Sequence, residues 1–169
     1  MAKKLTADQK EALEKWKEHC RQVQAMTEVS VAVAQESPTE RDRRIRRLLS
    51  NYNEFCEYYF AHFLTLRDKT TGEVIKTIHN APFHTKAALK IRHTPNLKAV
   101  FKWPRGHAKS THIGVFIPLW LIFQPKRLIN FMITVGKSED SAIRLLGDLQ
   151  AELEFNQKLI ADFGEQKNL

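Results

Sequence analysis

The sequence is poor in cysteine and lacks the ligand spacing of a metal site. Its two cysteines, Cys20 and Cys56, form no Cys-x-x-Cys pair. His79, His84 and His93 lie near one another, but their spacing matches no common zinc pattern. We therefore expect neither a disulfide framework nor a zinc site, and a reducing compartment fits this cysteine usage.

Long hydrophobic runs are also lacking. No stretch reaches the roughly 18 apolar residues of a membrane span, and residues 1–4 lack the apolar core of a signal peptide. The sequence contains no internal repeat and no low-complexity tract. We therefore expect a chain that does not enter a membrane and remains in the cytoplasm of the cell that makes it.

What is present is a basic chain of 169 residues, of which 43% are apolar. This length and composition are enough to bury one core of ordinary size. The formal net charge is +8 and the isoelectric point is about 9.6. Such a charge fits a polyanionic partner, and it equally fits a basic surface with no such partner.

Residues 5–35 are predicted to form one helix. It opens with the capping-box pattern of residues 6–9, in which Thr6 and Gln9 exchange hydrogen bonds. Its apolar face is thin, and the β-branched residues after Thr27 indicate fraying or a bend there. Two alternatives stay open for this helix, namely docking on another element and a solvent-exposed arm.

A second helix is predicted from Ser37 to about Leu66. Ser37, Pro38 and Glu40 form a capping box with proline at the first helical position. Apolar residues then recur every three or four positions and form a broad stripe that must be buried. The aromatic run 58–60 is expected in this core.

The same helix begins with a cluster of arginines. They are Arg41, Arg43, Arg44, Arg46 and Arg47. Clustered arginines on one helix can bind nucleic-acid phosphates, and they can also form an ordinary solvated face. Both interpretations stay open from the sequence.

A short hairpin and a further helix are predicted next. Residues 65–67 and 73–78 are rich in strand formers and flank the turn signal of residues 68–72. Pro82 is placed to start a helix, and Pro95 ends any helix before the next segment.

Residues 102–111 form a polar turn between two apolar segments. The preceding residues 97–103 alternate like a strand, and residues 111–123 have the apolar character and length of a helix. In the order strand, loop and helix, the unpaired N–H groups of the helix N-terminus face the loop and favour phosphate. Lys109 would then reach the β and γ phosphates, and Ser110 would offer its hydroxyl to Mg²⁺.

The match to the phosphate-loop pattern G-x-x-x-x-G-K-[ST] is partial. Trp103 and Ala108 occupy the two glycine positions, so a plain strand-to-helix turn is the alternative. A second Lys-Ser pair follows at residues 136–138, after the apolar run 128–135. We favour the earlier pair, because Pro104 stops the strand and leaves the backbone room to wrap around a phosphate.

The residue order Pro-Arg-Gly-His-Ala-Lys-Ser-Thr at 104–111 resembles the relaxed Walker A loop of large terminase subunits from tailed phages and prophages. Further similarity follows in the same order at residues 118–120, 132–135 and 152–156, and the resemblance covers about residues 51–169. It implies an enzyme that binds ATP with Mg²⁺ and hydrolyses it to package viral DNA. Ala108, where glycine is more usual in that family, is a departure from the pattern.

The resemblance also implies roles for single residues of the loop. The expected nucleotide-binding residues are Pro104, Arg105, Gly106, His107, Ala108, Lys109, Ser110 and Thr111. Among them, Arg105 and Lys109 are the expected catalytic residues, since both would stabilise the transferred phosphate. Ser110 is the expected Mg²⁺ ligand, acting through the bound nucleotide.

The expected architecture is α/β, because strands and helices alternate from residue 97 onward. We divide the chain into a helical region at 1–64, a hairpin and linker at 65–96, and a partial P-loop ATPase domain at 97–169. That last part holds the opening strand-helix-strand-helix of a P-loop NTPase, that is, a truncated parallel sheet. In the family, the remaining strands and a nuclease domain would follow downstream.

The partners implied by the resemblance are double-stranded viral DNA, a portal protein, a small terminase subunit and further copies of the chain in a ring. Hydrolysis by this chain alone is not expected, since no apolar run after Lys109 ends in the acidic residue that orients water. Asp148, Glu152 and Glu154 are expected to face solvent from a helix. The alternative function is a non-catalytic basic helical module that binds nucleic acid or a protein partner.

Overall fold

The computed structural model describes residues 6–29, 33, 35–68, 70–126, 128–129 and 131–166. Within them the chain is mostly helical and carries a small antiparallel sheet. The helices are α1 (Ala7–Met26), α2 (Pro38–Ser50), α3 (Tyr52–Tyr59), α4 (Ala61–Leu64), α5 (Pro82–His93), α6 (Lys109–Thr111), α7 (Ile117–Ile122), α8 (Glu139–Phe155) and α9 (Gln157–Phe163). A π-helical segment, His112–Phe116, joins α6 to α7, and the strands are β1 (Thr65–Arg67) and β2 (Val74–Thr77).

Both predicted capping boxes are confirmed. The Thr6 hydroxyl accepts from the backbone N–H of Gln9, whose side chain accepts from the N–H of Thr6. Ser37 and Glu40 make the same exchange at the start of α2. Helix α1 ends at Met26, so the prediction of one helix over residues 5–35 is wrong at residues 27–29, and the break lies where the composition indicated fraying or a bend. Residues 5, 30–32 and 34 of the predicted helix lie outside the described residues.

The prediction of a single helix over residues 37–66 is wrong. Asn51 has an extended backbone, and its side chain accepts from the N–H groups of Asn53 and Glu54. Asparagine caps a new helix in this way more readily than it continues one. The chain turns again at Phe60, so the expected apolar stripe is divided among α2, α3 and α4.

The main core is built from aromatic side chains of α3 and of the helix that follows residue 108. Tyr59 and Phe60 are fully buried, as predicted for the run 58–60. Phe60 stacks on Phe116 with ring centroids 4.4 Å apart, and Trp120 is completely buried nearby in the same core. Burying one such ring contributes about 1.5–3 kcal/mol, so these contacts position the helix after residue 108.

Helix α1 docks on α8, which decides between the two alternatives for its apolar face. The Trp16 indole donates to the carbonyl of Gly147 over 3.3 Å, and its ring packs edge-on against Phe155. A Cβ atom at Gly147 would lie 3.4 Å from the Trp16 ring, an ordinary van der Waals contact, so the two helices pack closely at this point. Cys20 and Val23 complete a second, smaller core, while the rest of α1 is exposed.

The predicted hairpin is confirmed. Strands β1 and β2 pair antiparallel, with Thr65 opposite Thr77. The turn is closed by Asp68, whose carboxylate accepts from the N–H groups of Thr70 and Thr71. These hydrogen bonds hold the pKa of Asp68 below its ordinary value.

The strands predicted at residues 97–103 and 128–135 are not formed among the described residues, and neither segment pairs in a sheet there. A strand is stabilised by its neighbours, and no third or fourth strand accompanies these two segments in the part of the chain that is described. Their outward side chains are consequently exposed, Val100 by 82% and Val135 by 85%. The parallel sheet is therefore absent from the described fold, which is α-rich with one antiparallel hairpin.

Within the described part of the chain, none of the helices combines the length and the apolar character that a bilayer span requires.

Candidate functional site

The loop at residues 104–111 contains two residues with positive φ, separated by His107. Gly106 has φ 82°, which glycine adopts without strain. Ala108 has φ 50° and ψ 30°, a left-handed conformation that few residues other than glycine adopt. The chain turns sharply here and enters a helix at Lys109.

The first helical hydrogen bond runs from the N–H of His112 to the carbonyl of Ala108, over 2.9 Å. The N–H groups of Lys109, Ser110 and Thr111 precede that bond and have no acceptor within the helix. The Lys109 and Ser110 side chains are exposed. Because α6, the π-helical segment and α7 follow without a break, the positive end of this helix dipole faces the loop.

An aromatic cluster packs against the loop. Trp103, the last residue before the turn, packs against Phe83 with centroids 5.2 Å apart and against His84 at 5.1 Å. Phe83 also contacts the ring of His107 at 5.9 Å. The first turn of α5 therefore packs against the loop.

Two histidines, His84 and His112, connect the start of α5 to the main core. His84 bonds to the carbonyl of His107 over 3.1 Å, and its ring stacks on that of His112 with centroids 3.8 Å apart. His112 shares a 2.6 Å hydrogen bond with the Tyr52 hydroxyl. Burial, and to a lesser extent the neighbouring His84, lower the pKa of His112 to about 3, so its ring is neutral at physiological pH.

The remaining loop residues are solvent-facing. Pro104, Arg105, Gly106, His107 and Ala108 are all exposed. The His107 ring donates from Nδ1 to the carbonyl of Arg105 over 3.1 Å and so tightens the turn. The loop residues that precede the helix are therefore accessible to a ligand from solvent.

The competing Lys-Ser pair at residues 136–138 is packed differently. A Cβ atom on Gly136 would lie 2.6 Å from the backbone nitrogen of Ala142, so the chain presses directly on the start of α8. The Ser138 hydroxyl accepts from the N–H of Ser141 and caps that helix. The hydroxyl that would meet Mg²⁺ at this pair already serves as a helix cap.

The arginines of α2 are largely paired within the protein. Arg44 is 12% exposed and contacts Glu36 at 2.8 Å and Asp162 at 2.6 Å. Arg41 also pairs with Asp162.

Further along α2, Arg47 pairs with Glu54 at 3.0 Å. The guanidinium of Arg46 donates to the backbone carbonyl of Asp42. Among the described residues, Arg43 and Arg46 form no ion pair, so these two members of the cluster are the ones left for an external phosphate.

A charge pattern not used in predicting the site surrounds the loop. Residues 74–138 contain eleven lysine and arginine residues and no aspartate or glutamate. The entire net positive charge of the chain therefore comes from this segment, since acidic residues outnumber basic ones elsewhere. Counting acids along the sequence would have indicated a polyanion-binding region centred near the loop.

The expectation that Glu152 faces solvent is wrong. Its side chain is completely buried, bonded to His62 at 2.8 Å and to Asn156 at 2.7 Å. Asn156 also donates to the carbonyl of Tyr59, so the group ties α8 to the end of α3. Within the described ranges, no three His, Cys, Asp or Glu side chains are arranged to hold a metal ion.

Searches against protein-family models, curated proteins and solved structures each found no match to this chain. The likeness to large terminase subunits therefore depends on the residue order of the loop and its flanks.

Proposed function

We propose that residues 104–111 bind the phosphates of ATP, and that the chain is the N-terminal ATPase portion of a phage terminase large subunit. In that role ATP binding powers the translocation of viral DNA into procapsids. The observation that carries the proposal is the helix start at Lys109. There, three backbone N–H groups without a helical acceptor, an exposed lysine and an exposed hydroxyl follow a left-handed turn.

Four residues of the loop would contact the phosphates directly. The N–H groups of Lys109, Ser110 and Thr111 donate to phosphate oxygens, and the Lys109 ammonium reaches the β and γ phosphates. Arg105 lies on the exposed side of the turn, where its guanidinium stabilises charge on the transferred phosphate. The absence of acidic residues from the sequence around the loop, at 74–138, favours a polyanionic ligand of this kind.

Ser110 fits Mg²⁺ as a single protein ligand. Its hydroxyl is exposed at the second residue of the helix, next to the phosphate-facing N–H groups. Mg²⁺ keeps several waters and takes most of its remaining oxygens from the nucleotide, so one protein oxygen is enough at this point. The ion, when bound, neutralises charge on the phosphates.

Double-stranded DNA is the proposed macromolecular partner, in company with a portal protein, a small terminase subunit and further copies of the chain in a ring. Basic side chains of the acid-free segment are the preferred phosphate contacts. Lys86 and Lys90 are exposed on one face of α5, the helix whose first turn lies beneath the loop. Arg43 and Arg46 add a second, smaller basic surface.

A second candidate function is a non-catalytic basic module that binds nucleic acid or a protein partner. The unpaired segments 97–103 and 131–135 favour it, because a working P-loop ATPase positions its loop on a sheet. In this case the loop is an ordinary turn, and the acid-free segment is the functional surface.

Titrating a fluorescent ATP analogue with Mg²⁺ separates the two functions. Lys109→Ala should weaken binding by more than about tenfold, the loss expected for one charge-assisted hydrogen bond. Lys137→Ala is the matched control, since Lys137 is the exposed lysine of the competing pair. Equal losses in the two variants, or a loss in the control alone, would contradict the proposed site.

A further inference from the structure

His84 occupies a buried position between α5 and the loop, and both of its ring nitrogens are bonded. The backbone N–H of Ala81 donates to Nδ1 over 3.0 Å. Nε2 lies 3.1 Å from the carbonyl oxygen of His107. Because Nδ1 accepts a hydrogen bond, the ring proton must reside on Nε2, which donates to that carbonyl. This pair of bonds requires a neutral ring in one tautomer.

The bond from His84 acts directly on the strained part of the loop. The carbonyl of His107 belongs to the peptide group that joins His107 to Ala108. Ala108 has φ 50°, which is unfavourable for a residue with a Cβ atom and persists only where the surroundings hold it. Fixing the plane of the preceding peptide therefore helps to determine how the N–H groups of Lys109 and Ser110 are aimed.

The surroundings of the ring do not favour a proton. The titratable groups packed around it are His107 of the loop and His112 of the π-helical segment, with Tyr52 of α3 behind His112. No carboxylate of the described residues is bonded to the ring. Burial lowers the pKa of His84, while its bond to the His107 carbonyl acts weakly in the opposite direction.

We infer that His84 is a positioning residue for the loop, that it acts only as the neutral Nε2–H imidazole, and that its protonation releases Ala108 from the left-handed conformation. A second proton would have to sit on Nδ1, where it would meet the N–H of Ala81. The bond from the Ala81 N–H to Nδ1 would break, because both groups would then be donors. The ring would have to turn to separate these two donors, and that turn would take Nε2–H away from the carbonyl of His107. His84 touches no ligand in this role, and its effect on nucleotide affinity rests on the proposed function.

The inference is tested by nuclear magnetic resonance on the whole chain. The ¹⁵N shifts of the His84 ring should show an acceptor at Nδ1 and a protonated Nε2 near neutral pH. A positive φ at Ala108 should give a strong intraresidue Hα–HN Overhauser effect. That effect should weaken only as the pH falls below 6.5, the ordinary pKa of histidine, and with the midpoint of the His84 titration. The opposite tautomer, or an effect that ignores the titration, would overturn the inference.

Two substitutions separate the two bonds. His84→Gln retains a donor near the position of Nε2, so the Ala108 effect should persist and become independent of pH. His84→Asn retains an acceptor near Nδ1 and lacks the donor, so the effect should be lost at every pH. His93→Gln, on the exposed last turn of the same helix, should behave as the unchanged chain. Loss in the Gln variant together with retention in the Asn variant would refute the assignment.

The same variants test whether the bond from His84 to the His107 carbonyl affects nucleotide affinity. His84→Asn should weaken binding of ADP with Mg²⁺ by roughly tenfold, the equivalent of one lost hydrogen bond. His84→Gln should restore it. If none of the proteins binds ADP, the proposed function fails, while the Ala108 measurement still decides the role of His84.

Discussion

Arg44 and Asp162, which lie 118 residues apart in the sequence, form a two-pronged ion pair in the core. The guanidinium donates to the two carboxylate oxygens over 2.6 and 2.9 Å. The Tyr59 hydroxyl donates to the same carboxylate over 2.6 Å, and burial of Tyr59 next to Asp162 raises its pKa. The pair therefore ties α2 and α3 to α9, the last helix of the described chain.

Removing one partner of this pair should be strongly destabilising. Asp162→Ala removes the buried carboxylate that Arg44 and Tyr59 both contact and leaves Arg44 with Glu36 alone, which should cost about 3–5 kcal/mol of unfolding free energy. Urea unfolding measures the loss, and the exposed Glu73→Ala serves as the control. The triple variant Arg44→Met with Asp162→Leu and Glu36→Gln should recover most of the stability, because no buried charge is then left without its partner. A loss below about 1 kcal/mol in the single variant would mean a pair no stronger than a surface one.

Stability should decline as the pH falls below 6.5, before the carboxylates titrate. Burial lowers the pKa of His112 from 6.5 to about 3, and it also lowers the pKa of His84. Below pH 6.5 the unfolded chain takes up these protons more readily than the folded chain, so the stability present above pH 6.5 is progressively lost. For His112 the slope reaches about 1.4 kcal/mol per pH unit between pH 6.5 and its lowered pKa.

Unfolding measured at several pH values between 6.5 and 4.5, the ordinary pKa values of histidine and glutamate, checks this dependence. His112→Gln should be less stable near neutral pH and should show a flatter profile. His93→Gln, an exposed histidine, should keep the slope of the unchanged chain. A slope that survives in the His112 variant would assign the pH dependence to other groups.

DNA binding should depend mainly on the acid-free segment. The logarithm of the affinity falls with the logarithm of salt by about 0.9 for each phosphate contact. Lys86→Gln with Lys90→Gln should therefore flatten the slope by about 1.8 if both lysines contact phosphates. The matched change Arg43→Gln with Arg46→Gln should have the smaller effect. A larger change of slope in the arginine variant than in the lysine variant would place the main phosphate contacts on the arginines of α2.

This chain alone should not turn over ATP. Hydrolysis needs an acidic group to orient water near the phosphates. The two buried acids after Lys109 are engaged elsewhere, since Glu152 bonds to His62 and Asp162 to Arg44. A phosphate-release assay on the purified chain measures this directly. Turnover at the rate of an ordinary motor ATPase, abolished by Lys109→Ala, would show that the catalytic set is complete within these residues.

Local features of the fold could be predicted from the sequence, because their partners lie within a few residues. Thr6 and Ser37 cap helices whose third residue returns the bond, and Asp68 closes its own turn. The break at Asn51 was missed because an apolar stripe continues across it. An apolar stripe indicates which face of a helix is buried, and it does not indicate where the chain bends.

Features that depend on distant partners could not be predicted. The burial of Glu152 follows from His62, 90 residues away, and helical periodicity alone places Glu152 at the surface. His84 bonds to the carbonyl of His107 and stacks on His112, and no spacing pattern in the sequence connects these three residues. The strands expected at 97–103 and 128–135 have strand-forming residues, as an alternating pattern in the first and an apolar run in the second, but a strand also needs neighbours.

Chemical-shift mapping with ADP and Mg²⁺ is the sharpest test of phosphate binding by residues 104–111, because it locates the ligand at single backbone amides. Phosphate binding there should give saturable shifts that are largest at the N–H groups of Lys109, Ser110 and Thr111 and that disappear in Lys109→Ala. Shifts centred on residues 136–138 or on the arginines of α2, or no shifts at millimolar ADP, would contradict it.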